Sequence, residues 1–289
     1  MIIKKGLKNF FLATLTALAF SSCAPDPQSN TQPNEGVKYA ILSNGVSEVG
    51  FIDPIDVNST LIATTNVYNE LLENGYSKEN IFVLYNGGKP NFDKIATTHN
   101  VGPIKTEFDG SYDNTATASN LTDILESLED KVKEEDKVTI NIMSHGSPSG
   151  IIYFDYDLSN LSGTDLTQII EGNKSEEILL VVGTCHSESF GYLVEFPSTI
   201  VASAYGSKLS WGDKNYSFNT VFWEEMNNKA NDMDRNGEIT PHEAFSPTKE
   251  RAISYGKEIE DFLKNDYEGI GARQEDLDML SFVPVYIQK

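Results

Sequence analysis

The sequence predicts a three-layer α/β/α sandwich, a mostly parallel sheet with helices on both faces. Two observations carry that expectation. Apolar, β-branched runs of strand length recur at Tyr39–Leu42, Ile81–Tyr85, Val138–Met143, Ile178–Val182 and Ile200–Ala204. Segments with helical apolar spacing separate the first four of these runs. Strand, helix and strand in that order form a βαβ unit, whose strands are parallel and whose crossover is right-handed. The chain of 289 residues is long enough to bury a sizeable core.

The formal net charge is −21. Such a surface repels phosphate backbones and anionic lipid, so nucleic acid is excluded as a main partner. It reads as a soluble, self-repelling surface.

Residues 1–23 read as a targeting segment. Lys4, Lys5 and Lys8 form a basic stretch, and Phe10–Phe20 is an apolar run short for a membrane span. Phe20-Ser21-Ser22-Cys23 resembles a bacterial lipobox, with Phe where Leu is usual. That resemblance implies lipidation of Cys23, which becomes the mature N-terminus, and a lipid-anchored, extracytoplasmic place in the bacterial cell envelope. Ordinary secretory cleavage beside an incidental Cys is the alternative. Residues 24–36, rich in Pro, Asn, Gln and Ser, read as a flexible tether, and residues 37–289 as the folded domain.

Tyr39–Leu42 is the first expected strand. Leu61, Thr65, Tyr68 and Leu72 mark one face of a helix that Gly75 stops, and Ile81–Tyr85 is the next strand. Asn86–Asp113 is a long polar loop in which His99 reads as solvated. Asn120–Glu134 is an amphipathic helix with Leu121, Ile124, Leu125, Leu128 and Val132 on its buried side. Val138–Met143 follows, then a helix over Thr164–Glu171, then Ile178–Val182. Beyond Ile200–Ala204, helices are expected at Ser217–Lys229 and Lys249–Lys264, and Pro241 is placed to open a helix. Phe282–Ile287 reads as an edge strand, because Pro284 cannot donate to a ladder.

Chemistry gathers at the ends of two strands. His145 follows Val138–Met143 and Cys185 follows Ile178–Val182, so parallel pairing brings both to one carboxyl edge, where open α/β sheets keep their sites. A thiolate is a strong nucleophile, and an imidazole can take its proton and later protonate a leaving amine. Gly146 lets its backbone N–H approach a substrate oxygen and, with the N–H of Cys185, form an oxyanion hole. The chain has two cysteines, Cys23 and Cys185. If the first is acylated the second has no disulfide partner, and a lone thiol in an exported protein reads as reactive. His186 adjoins the nucleophile, but neighbours in sequence point apart.

His145-Gly146-Ser147-x-x-Gly150 with Phe154, followed by an apolar strand ending in Cys185, resembles legumain, the asparaginyl endopeptidase family that includes the catalytic subunit of the GPI transamidase. The resemblance covers about Lys38 to Trp223 and implies the caspase-like fold, a Cys–His peptidase and a peptide or protein substrate. It also implies that Asn58, one residue out of step with the family pattern, assists the imidazole. Ser187 and Ser189 match the family's Ser-x-Ser, with Glu188 where it has Gly. Where the family has a pocket Glu two residues before the cysteine, this chain has Gly183, and the family's pocket Arg is absent. The resemblance puts Asp213 in the substrate pocket, with a plain Gly-Asp turn as the alternative. Gly183 is expected to make the pocket roomier and Asp213 to make it acidic, so that strict Asn selectivity is lost and Lys or Arg is accepted before the cut.

Asp232–Glu243 is a separate motif. Asp232, Asp234, Asn236, the carbonyl of Glu238 and Glu243 stand at positions 1, 3, 5, 7 and 12 of an EF-hand loop, with Gly237 at the turn. Structural Ca2+ is the expected ion, and a single loop reads as a brace rather than a switch. The sequence thus points to a membrane-anchored cysteine endopeptidase working through an acyl-thioester. A non-catalytic calcium-binding lipoprotein on a peptidase-derived fold and a transpeptidase are the alternatives.

Overall fold

A computed structural model describes residues 36–46, 55–85, 114–204, 206–208, 210, 217–265 and 282–289. The targeting segment with Cys23, nearly all of the tether, the 86–113 loop with His99, and Asp213 lie outside the described residues.

Ten strands are described: β1 (Lys38–Asn44), β2 (Ile81–Tyr85), β3 (Asn114–Thr115), β4 (Lys137–Met143), β5 (His145–Gly146), β6 (Ile151–Tyr153), β7 (Asn160–Ser162), β8 (Glu177–Gly183), β9 (Thr199–Ala202) and β10 (Val285–Gln288). The helices are α1 (Ile55–Glu73), α2 (Ala118–Glu129), α3 (Gly163–Ile170), α4 (Ser187–Leu193), α5 (Phe218–Asn227) and α6 (Pro241–Asn265). The main sheet runs β10-β9-β8-β4-β1-β2-β3. All its pairings are parallel except β10 with β9.

Alternation along the central strands sorts side chains to two cores. Ile140 and Ile142 of β4 with Leu180 and Val182 of β8 meet Leu121, Leu125 and Leu128 of α2, Leu166 of α3 and Phe190 of α4. On the other face Leu179 and Val181 of β8 meet Val67 and Leu71 of α1, Phe222 and Trp223 of α5, and Ala244 and Ala252 of α6. This is the expected three-layer sandwich, and strands buried on both faces explain the unbroken apolar runs.

Differences from the sequence reading fall where periodicity is weak. Helix α2 stops at Glu129, short of Glu134, although Val132 beyond it is still buried. Helix α6 opens at Pro241, and it runs through Pro247 into the 249–264 segment as one helix rather than two. The connection from β4 to β8 holds more than a helix. Strands β5, β6 and β7 form a separate antiparallel sheet inside it. Strands of two or three residues carry too few positions for a pattern, so this sheet was not anticipated. Among the described residues no helix is long and apolar enough to cross a membrane.

Candidate active site

Strands β4 and β8 pair in parallel along their whole length, Lys137 against Glu177 through Met143 against Gly183. His145 lies two residues beyond Met143, and Cys185 two beyond Gly183. Both therefore leave the carboxyl edge at the same height, with the Ser144 N–H donating to the Gly183 carbonyl at 3.4 Å. The two turns are pressed together. A Cβ added at Gly146 would overlap the carbonyl oxygen of Cys185 and crowd Thr184. Glycine is required there for close approach of two backbones. The register of β5 on β6 also frees one group. The Ser147 N–H donates to the Ile151 carbonyl, and His145 faces Tyr153 while Gly146 faces Ile152. Alternation of the antiparallel ladder makes Gly146–Ile152 the pair without hydrogen bonds, so the Gly146 N–H points off the edge of this small sheet.

The imidazole of His145 is half exposed, and its Nε2 lies 3.4 Å from a carboxylate oxygen of Asp155. The thiol of Cys185 is directed at the Ser210 carbonyl, Sγ to O 3.8 Å. Among the described residues no hydrogen bond joins thiol to imidazole. Burial pushes the Cys185 thiol above its ordinary pKa.

The segment after β9 is stitched to the cysteine turn. His186 is buried with φ 56°, its N–H donates to the Lys208 carbonyl at 2.8 Å, and its Nδ1 lies 2.9 Å from the Gly206 carbonyl. An imidazole so committed is a strut, in keeping with its dismissal as a base. Glu188 accepts the Gly206 N–H at 2.7 Å, its own N–H donates to the Ala204 carbonyl at 3.0 Å, and Ser189 Oγ donates to the Gly206 carbonyl at 3.2 Å.

A family model of the Peptidase C13 family matches residues 61–269, more than half of the chain and the span that holds both His145 and Cys185. The chain belongs to the Peptidase C13 family. No match was found among curated proteins. Members of this legumain family are cysteine-type endopeptidases acting on peptide or protein substrates, and the chain is one of them.

As a C13 peptidase it departs from the resemblance at the pocket, and one expectation needs correcting. Gly183 does not make room. The space a side chain would take there is filled by Oδ1 of Asn219, from the first turn of α5. The Asn219 side chain is buried, and its Nδ2 donates to Asn141 Oδ1 at 3.0 Å and approaches the carbonyls of Ile142 and Val181 at 3.3 and 3.4 Å. Trp223 Nε1 donates to the same Asn141 oxygen at 3.2 Å. A polar residue brought from a distant helix thus occupies what the missing side chain leaves. Asn58 falls within α1, but its side chain, like Asp213, lies outside the described part. Sequence reasoning missed both Asn219 and Asp155. The first is reached only through helix packing, and the second through the hairpin register.

The second cluster lies between α5 and α6. Single oxygens of Asp232, Asp234 and Glu243 lie within 4.8 Å of one another. Asp232 accepts the N–H groups of Asn236 at 3.1 Å and Gly237 at 3.0 Å, and Asn236 Oδ1 accepts the Glu238 N–H at 2.8 Å. Gly237 has φ 92°, a conformation that suits glycine. Glu243 is buried and accepts N–H groups from Met233 and Thr240, both at 2.9 Å. Its N–H in turn donates to Thr240 Oγ1 at 3.3 Å, a capping box that starts α6. The Thr240 and Met233 hydrogen bonds hold the Glu243 carboxyl below the usual carboxylate range.

Proposed function

We propose that the protein is a lipid-anchored, extracytoplasmic endopeptidase whose chemistry runs through a Cys185–His145 dyad and an acyl-thioester. The observation that carries this reading is the in-register pairing of β4 with β8, which sets the two residues at one height on the carboxyl edge. Sγ of Cys185 attacks the scissile carbonyl while the imidazole of His145 takes the thiol proton. The oxyanion forms against the N–H groups of Gly146 and Cys185. The imidazolium then protonates the leaving amine, and water, deprotonated by the same imidazole, hydrolyses the thioester. In this scheme the neutral thiol favoured by burial is the resting form, and the nucleophile is generated as substrate binds.

Calcium in the 232–243 loop is part of the proposal. Ca–O distances of about 2.3–2.6 Å put ligands on opposite sides of the ion roughly 5 Å apart. The carboxylate oxygens, within 4.8 Å of one another, suit that span. Asp232, Asp234, Asn236, Glu243 and the Glu238 carbonyl would hold the ion, which supplies charge neutralisation to a cluster of carboxylates and takes no part in bond cleavage. Lipid on Cys23 supplies the membrane attachment, supported by the lipobox-like Phe20–Cys23 after a basic and apolar leader.

The test is turnover of a peptide library by purified protein. Cys185→Ala and His145→Ala should each abolish cleavage without lowering the melting temperature. Full activity in Cys185→Ala protein would refute the dyad. Detergent-phase partitioning lost in Cys23→Ser would support the anchor, and unchanged partitioning would remove it.

A further inference from the structure

We infer that Asp155 is a positioning residue for the reaction, holding the imidazole of His145 so that its Nδ1 is the atom that exchanges protons with Cys185 and the substrate. The inference rests on the Cys185–His145 dyad proposed above.

The contact is an ion-pair distance, Nε2 to Oδ2 of 3.4 Å, between a half-exposed imidazole and a carboxylate that is three-quarters buried, with side-chain exposures of 56% and 24%. An imidazole near a carboxylate keeps its proton on the facing nitrogen, and the other nitrogen is then the base. In the proposed arrangement Nε2 keeps its proton for Asp155, and Nδ1 takes the thiol proton as the S–C bond forms and returns it to the leaving amine.

The backbone that carries the carboxylate is held from both sides. The Asp155 N–H donates to the carbonyl of Gly45 at 3.0 Å, just past the end of β1, and the Gly45 N–H donates to the Met143 carbonyl at the end of β4 at 2.9 Å. Phe154 before it is fully buried in the core beneath β4 and β8, and its N–H donates to the Ser159 carbonyl at 2.9 Å. Ser144 Oγ donates to the Tyr153 carbonyl, and His145 faces Tyr153 across the β5–β6 ladder. The backbones carrying imidazole and carboxylate are therefore locked to each other and to two strands of the main sheet. This is the support a catalytic orientation needs. Asp157, two residues on, is committed otherwise, accepting the Ser159 N–H at 2.9 Å in a local turn.

The experiment measures kcat and KM of the full chain with a cleavable peptide for wild type, Cys185→Ala, His145→Ala, Asp155→Ala and Asp155→Glu. Asp155→Ala should lower kcat roughly tenfold to a hundredfold, the scale of a displaced catalytic group, with KM within about twofold. Asp155→Glu, which keeps a carboxylate in reach, should recover part of the loss. Added formate should raise kcat in Asp155→Ala and leave His145→Ala inactive, a response that a merely structural carboxylate would not produce. Unchanged kcat in Asp155→Ala, a gain in kcat, or a loss that neither formate nor Asp155→Glu repairs would overturn the inference. Activity surviving in Cys185→Ala would instead sink the dyad itself, so the two failures are distinguishable.

Discussion

Gly146→Ala tests how tightly the His145 and Cys185 turns are pressed together. The new methyl would overlap the Cys185 carbonyl oxygen and stand 2.8 Å from Thr184 Oγ1 and 3.1 Å from Thr184 Cβ. Neither neighbour yields readily. The carbonyl is backbone, and Thr184 is 2% exposed with its hydroxyl 3.1 Å from that same carbonyl. Strands β4 and β8 are paired along their length and cannot part. Relief must come from moving the His145–Gly146 turn off the cysteine turn by roughly 1 Å, given the spacing at which nonbonded atoms settle. A displacement of that size costs about a hundredfold in rate, and loss of an oxyanion donor about 10²–10³ in kcat. We expect kcat down by about 10²–10³. Overpacking costs about 1–3 kcal/mol, and at roughly 2–4 °C per kcal/mol for a domain of this size the melting temperature should fall by about 2–12 °C. The assay is steady-state kinetics on protein shown to be folded by thermal melting at the assay temperature. Folded Gly146→Ala protein with wild-type kcat would refute both the required close approach and the assigned N–H.

Three further outcomes are expected. Because burial raises the Cys185 pKa, its alkylation by iodoacetamide should lie below the few per cent thiolate of an ordinary cysteine at neutral pH and keep climbing through the alkaline range; a plateau reached by neutral pH would show a preformed thiolate–imidazolium pair instead. Calcium at a hundredfold its Kd should add about 2.7 kcal/mol, or roughly 5–10 °C in melting temperature, relative to chelator, and Asp232→Ala should erase the difference; superimposable wild-type melts would exclude the ion. A positional peptide scan should show loss of strict Asn preference before the cut, with Lys or Arg accepted and that acceptance lost in Asp213→Ala, because a site without the partners of an amide cannot select it; cleavage confined to bonds after Asn would overturn this.

The frame of the molecule was legible because its central strands are buried on both faces. Val138–Met143 and Ile178–Val182 are apolar without interruption, and each runs out in small residues before a reactive side chain. That pattern alone implies βαβ, and βαβ implies a shared edge for His145 and Cys185. The convergence of Asp232, Asp234 and Glu243 was legible for a different reason, since local spacing decides which of these side chains meet. What escaped depends on neither periodicity nor spacing. Strands β5 to β7 are two or three residues long, and only their pairing brings Asp155 beside His145. The roomy pocket expected from Gly183 failed because an empty position in one element is filled from another, here by Asn219 of α5. A sequence records which side chain is missing but not which distant one takes its place.

Helix α5 runs from the His145–Cys185 edge to the 232–243 loop, and its geometry limits what the calcium proposed for that loop could do. It begins at the carboxyl edge, where Asn219 lies beneath Gly183. At its other end Glu225 accepts Asn231 Nδ2 at 2.8 Å and Arg251 Nη1 at 2.8 Å, and Asn227 donates to Glu70 of α1. The loop beyond it reaches the amino edge of the sheet. Glu238 lies 3.9 Å from Lys137, the first residue of β4, and Lys137 pairs with Glu177, the first of β8, at 3.0 Å. Ten helical residues rise about 15 Å, so an ion in this loop sits about a helix length from the thiol. At that distance it does not polarise the carbonyl attacked by the thiol. Its influence on Cys185 must travel through the position of α5, as bracing against α1 and α6. Chelation should therefore lower the melting temperature while leaving kcat nearly unchanged at temperatures well below the melt. Loss of kcat on chelation in protein that remains fully folded would contradict that limit and require the loop to act on the catalytic edge itself.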